Sequence, residues 1–210
     1  MAVNIPPPMK SDYIPAPAGT HAAVCIHVID LGTQEVTFQN ETKHQRQVML
    51  TWELPNEPME NGKPYTISQK YTFSLHERAK LRSILETWRG RPFADADFGP
   101  QGFDVSKLLS RPCMVSIMHG VSQRGNTFAR VEAVTGLPRG MAVPKQVNIS
   151  LQLSLERGEF DAVVFNGLSE FVRGLIAKSP EYAQLQHDPS HSDAQMAPGH
   201  DETFDTETPF

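Results

Sequence analysis

The chain has 210 residues, a net charge of −5 and 39% apolar side chains, enough for one ordinary domain with extensions and short for two. No apolar run approaches the roughly 18 residues of a membrane span, and the first stretch, "MAVNIPPPMKSDYIPAPAG", carries prolines where a secretory leader would have its apolar core; a cytoplasmic, non-membrane protein is expected. The only cysteines, Cys25 and Cys113, each sit in an apolar run, which argues against a disulfide framework or a zinc site and for two small buried residues.

Charge is unevenly divided. From Ser179 onward there are seven acids and no Lys or Arg, so residues 1–178 hold 17 acids against 19 Lys and Arg, a net +2. A mildly basic body with an acidic tail points to an anionic ligand for the body and a separate role for the tail.

In chain order, residues 1–18 read as an extended proline-rich arm. "HAAVCIHVI" then begins a strand, "DLG" interrupts it and "TQEVTF" resumes, so Gly32 marks either a bulge in one long strand or a turn between two. After the polar "QNETKH", the segment "RQVMLTWELP" alternates Val48, Leu50, Trp52 and Leu54 with Gln47, Met49, Thr51 and Glu53, the period of a half-buried strand. A turn-rich "NEPMENGKP" leads into "YTISQKYTFSL", with Tyr71, Phe73 and Leu75 on one face and Lys70, Thr72 and Ser74 on the other. Trp52 and Tyr71 are expected in the core.

"SLHERAKLRSILETWRG" is the clearest helix. Ser74 and Glu77 have capping-box spacing, Leu81, Ile84, Leu85 and Trp88 form one stripe, and Gly90 ends it. Two further strands, "PCMVSIMHGVS" and "NTFARVEAVTGLP", are joined by a short loop containing Gly125. Three strands, a helix and two strands is the order of the five-stranded OB barrel, a mainly β fold whose helix lies between strands three and four. The expected organisation is an arm at 1–18, an OB domain at 19–138, an extension at 139–185 made of linker, short strand and amphipathic helices, and a disordered acidic tail at 186–210. The segment 160–177 is expected either to pack on the barrel or to pair with another copy, so a homo-oligomer is possible on this reading.

Catalysis leaves no signature. There is no GxSxG elbow, P-loop, HExxH or dinucleotide fingerprint, and a non-enzyme needing no metal or cofactor is expected. His187, His191 and His200 read as solvated tail residues, Asp95 and Asp97 as a surface turn, and His119 as a hydrogen-bonded rim residue. Binding fares better, because OB ligands cross strands two and three and touch the loops joining strands one to two and four to five. Here those loops offer Lys43 and Arg124, Arg46 opens strand two, and Lys70 lies on the outward face of strand three. Phe128 and Arg130 share a face opposite Ala129 and Val131, and Lys63 with Tyr65 repeats the pairing of ring and cation. A stacking ring beside a phosphate-binding cation is the minimal unit of single-strand recognition.

The segments "GTHAAVCIHVIDLGTQ", "VMLTWELP", "YTFSLHERAKLRSILETWRGR" and "TFARVEAVTGLPRGM", followed by "SPEY", resemble the OB-fold single-stranded-DNA-binding proteins of tailed bacteriophages, over about Gly19 to Tyr182. The closing "DETFDTETPF" looks like the acidic Pro-Phe tip of bacterial single-stranded-DNA-binding proteins, although Thr206 and Thr208 thin its acids. The resemblance implies sequence-independent binding of single-stranded DNA in phage replication, recombination or repair, in the cytoplasm of an infected bacterial host. It also implies that replication or recombination proteins dock on the tip through Asp205, Glu207, Pro209 and Phe210. An OB-like protein-interaction module, a replisome or virion adaptor without significant DNA binding, is the alternative.

Overall fold

The apolar run from Ala22 to Leu31 builds the first half of a long strand, β1 (Gly19–Phe38), which pairs antiparallel with β2 (Glu41–Pro58) along most of its length. The computed structural model describes residues 14–38, 41–100, 102–122 and 125–187. Gly32 marks a bulge in a single strand: the register slips between Asp30 and Gly32, and Gly32 has φ 68°, a left-handed conformation that favours glycine. Strand two begins five residues earlier than its apolar pattern predicts, at Glu41, because the polar segment 41–45 pairs with 34–38 to extend the β1–β2 ribbon.

β3 (Pro64–Thr72) pairs with β2, β4 (Pro112–Val121) with the start of β1, and β5 (Thr127–Thr135) with β4, giving the order β3-β2-β1-β4-β5. A three-residue β6 (Leu151–Leu153) joins β1 in parallel at His27–Ile29, just past the point where β4 leaves it. The protein is mainly β with a few short helices. Among the described residues β3 and β5 touch but are not hydrogen-bonded to each other, so the sheet is open where the sequence predicts a closed barrel.

α1 (Lys80–Arg89) buries Leu81, Ile84, Leu85 and Trp88 against the sheet, and Gly90 closes it at φ 72°. The predicted capping box does not form. Ser74 Oγ accepts the backbone N–H of His76 instead, Arg82 holds the Leu75 carbonyl at 3.2 Å, and residues 74–79 remain a turn leaving β3; the helix begins behind Ala79 with no side-chain cap.

Two apolar clusters lie on opposite faces of the β1–β2 ribbon. The first gathers Cys25, Val48, Leu50, Trp52, Leu54, Ile67 and Tyr71 with the α1 stripe and with Val115, Ile117, Val131 and Val134. Trp52 and Tyr71 are core residues as expected, and so is Cys25, whose thiol burial pushes up to about 12. Ala16 is also buried here: residues 14–18 lie against the sheet, and His119 Nε2 donates to the Ala16 carbonyl at 2.8 Å.

The second cluster packs Ile29, Leu31 and Met49 under Leu153, Leu155, Leu168, Val172, Ile176 and Leu185. Its helices are α2 (Ala162–Gly167), α3 (Glu170–Ile176) and α4 (Pro180–Gln186), capped by Asp161, Ser169 and Ser179. The break at Gly167 and the end of α3 before Pro180 follow the sequence signals, whereas α4, which Pro180 opens, is an additional helix. Segment 160–177 therefore packs on the sheet, the first of its two expected destinations, and β2 is buried on both faces from Val48 to Leu54 instead of one.

Candidate nucleic-acid interface

Pairing register decides which side chains share a face. On the β4–β5 hairpin Phe128 stands opposite Gly120 and Arg130 opposite Met118, so these four form one outward patch. Phe128 is 41% exposed and Met118 48%. The Phe128 ring lies over the Gly120 backbone so closely that a Cβ there would fall 2.6 Å from its tip, so the glycine gives the ring a flat seat. Arg130 is half-exposed and reaches Glu132 at 3.2 Å, a solvent-screened pair that leaves its guanidinium available. Val131, on the opposite face, is core.

Lys70 is exposed on the outer face of β3, opposite Met49, and Thr66 and Ser68 continue that face. Tyr65 lies opposite Leu54 on the inner face and packs partly buried against the first cluster, whereas Lys63 is exposed in the turn before it. The structure thus separates the ring and cation that the sequence paired. Lys43 stands at the far end of the ribbon with Glu41 at 2.9 Å, roughly 50 Å of straight strand from the β2–β3 turn at about 3.3 Å per residue. Arg124, Asp205, Glu207, Pro209 and Phe210 lie outside the described residues.

Arg46 has a different occupation. Its guanidinium pairs with buried Asp30, Nε to Oδ2 at 3.2 Å, and with Glu156 at 2.8 Å, and it lies over the Phe73 ring. The Asp30 hydrogen bonds, ahead of those to Glu156, hold its pKa further above the usual arginine range. Asp30 also accepts from the N–H groups of Gly32 and Leu155, tying the bulge to the chain after β6. Arg46 is a fastening between sheet and extension, with both carboxylates already on its charge.

Sequence reasoning missed the covering of β2. Glu53, on the polar side of the alternation, is fully buried: it accepts from the Val147 N–H at 2.6 Å, the Asn148 N–H at 2.9 Å and Asn148 Nδ2 at 2.7 Å. The segment after β5 therefore crosses the outer face of β2, where an OB ligand is expected to run. What stays open is the outer face of β3 on one side and the Phe128 patch on the other. Compared with known proteins, the chain matches no family model and no curated sequence.

His191 and His200 also lie outside the described residues, while Asp97 and Cys113 have structural occupations. Asp97 accepts from Arg89, Arg91 and the Ala94 N–H, and the Arg91 and Arg89 bonds hold its carboxyl well below the usual range. Desolvation pushes the Cys113 thiol up, which keeps it protonated and a poor nucleophile.

Proposed function

We propose that the protein binds single-stranded DNA without sequence preference, as an OB-type module of phage origin, and that its acidic segment recruits replication or recombination proteins. Strand order β3-β2-β1-β4-β5, a helix between β3 and β4, and contact between the two edge strands support the OB reading. The observation that carries the binding reading is the outward patch of Phe128 and Arg130 on its glycine seat. A base stacks on the ring while the guanidinium meets the neighbouring phosphate. Because the extension covers β2, the strand runs over Lys70 on β3 and over the β4–β5 hairpin.

Fluorescence-anisotropy titration of labelled single-stranded and duplex oligonucleotides tests this. Single strands of unrelated sequence should bind alike, more tightly than duplex, with affinity falling as salt rises because phosphate contacts release counterions. Phe128→Ala should cost about 1–3 kcal/mol of single-strand affinity. Arg46→Lys should weaken binding little while lowering the unfolding midpoint. Equal binding of single strands and duplex at low salt would refute the reading and favour a protein-interaction module.

A further inference from the structure

A cavity of about 270 Å³ opens behind α1, at the end of the β4–β5 hairpin far from Phe128. Its floor is apolar, made by Leu85, Trp88, Phe103 and Leu108, and its rim carries Lys107 and Arg111. Both rim cations are exposed, and neither has a carboxylate within ion-pair distance among the described residues. Arg89 also lines it: Nη2 is held by Asp97, while Nη1 is buried without a hydrogen-bond partner among the described residues. An apolar hole large enough for one ring under unpaired cations calls for an aromatic side chain flanked by acids.

The chain contains that chemistry. In "DETFDTETPF" Phe204 and Phe210 are flanked by Asp201, Glu202, Asp205 and Glu207, with no base among the ten residues. We infer that this acidic segment, residues 201–210 of the same chain, seats a phenylalanine in the cavity behind α1 while its acids meet Lys107 and Arg111. Reach is sufficient for Phe210: residues 188–210 can span up to about 75 Å at roughly 3.3 Å each, against a path of about 60 Å around half the girth of a domain on the order of 40 Å across. The seat lies away from the Phe128 patch, so it shelters the segment without covering the proposed DNA face. The inference goes beyond DNA binding and does not rest on it.

The test uses no DNA. A peptide of residues 201–210 is titrated into the full chain carrying Phe204→Ala and Phe210→Ala, with tryptophan emission as the signal, since Trp88 walls the cavity. A saturable change is expected. It should weaken about tenfold or more when Lys107→Glu and Arg111→Glu are added to that chain, or when both phenylalanines of the peptide are replaced by alanine. Both rim residues are exposed, so an unchanged unfolding midpoint certifies the charge variant. The unsubstituted chain should bind the peptide several-fold more weakly at every protein concentration, because its own segment fills the seat. No saturable change up to about 1 mM peptide, indifference to the rim charges, or equal affinity of the two chains would overturn the inference. Competition that deepens with protein concentration would assign the seat to a neighbouring copy and overturn it for the same chain.

Discussion

The two faces of the β1–β2 ribbon are covered by different means. The inner face is closed by bulk: Trp52, Leu50, Leu54, Ile67 and the α1 stripe interlock, and Trp52 lies 6.2 Å from Trp88 between ring centroids. The outer face is closed by a second apolar layer, pinned at its margins by polar bonds from the ribbon to residues far along the chain: Glu53 to Asn148, Asp30 to Leu155, Arg46 to Glu156 and Thr33 to Glu181. Burial of an aliphatic side chain is non-directional and contributes about 1.5–3 kcal/mol each, so the inner face tolerates small shifts. A buried carboxylate holding backbone N–H groups tolerates none. The extension is therefore fixed in register on the sheet by few contacts, and its loss should be separable from loss of the sheet.

The largest effect should come from the inner face. Trp52→Ala removes a fully buried ring from the centre of the first cluster and should cost about 3–5 kcal/mol, read as a fall in the urea midpoint. Loss of structure should be global, with sheet and extension unfolding together.

Glu53→Ala should cost somewhat less, about 2–4 kcal/mol, because it strands three donors of Val147 and Asn148 that water can reach once the segment lifts. Its signature should be local. Residues 139–155 should become protease-sensitive and lose amide-exchange protection before the sheet does. If cleavage there and sheet unfolding share one midpoint, the two faces are not separable and the contrast fails.

Gly32→Ala sharpens the point at one residue, with an expected cost of about 1–3 kcal/mol. A methyl group there is strained at φ 68° and would lie 2.5 Å from the Ser179 side chain, at the N-terminus of α4, and 2.8 Å from Glu181 Oε2. Glu181 bonds the Thr33 N–H at 2.8 Å and its hydroxyl at 2.6 Å, so pushing α4 away breaks these contacts as well. The measurement is protease sensitivity within α4, which should rise more than it does in α1.

The contrast also explains what was legible in the sequence. The period of two in Val48–Leu54 and the stripe Leu81–Ile84–Leu85–Trp88 are properties of single elements, and both revealed the inner core. The same strand concealed its other face: Met49 and Glu53 read as solvent-facing, because the residues that cover them lie about a hundred positions later and no local pattern announces them. An irregularity at Gly32 was readable as either a bulge or a turn, whereas the docking of Ser179 against the bulge was not. The shared face of Phe128 and Arg130 was legible, because alternation separates two faces of a hairpin. Tyr65 was misplaced by pairing it with Lys63, although the period of two already put it on the inner face with Ile67 and Tyr71. Arg46 looked like a free cation because nothing in the sequence joins it to Asp30 and Glu156.

The smallest effect concerns pH at the junction of the two faces. His27 lies opposite Thr51 on β1, and burial lowers its pKa from 6.5, while the charge of Glu53 opposes the shift. Below pH 6.5 the unfolded chain takes up this proton more readily than the folded one, so stability should fall as the pH drops from about 6.5 towards the lowered value; above 6.5 the residue is neutral in both states and contributes no slope. His27→Gln should therefore flatten the dependence of the thermal midpoint below about pH 6.5, and leave it unchanged above about 7. In the Glu53→Ala background the opposing charge is gone and burial acts alone where the segment stays down, so the native pKa of His27 should fall further. If it rises instead, the segment has lifted and admitted water to the outer face, and that single titration, followed by NMR of the His27 ring, reports whether the cover of β2 is on or off.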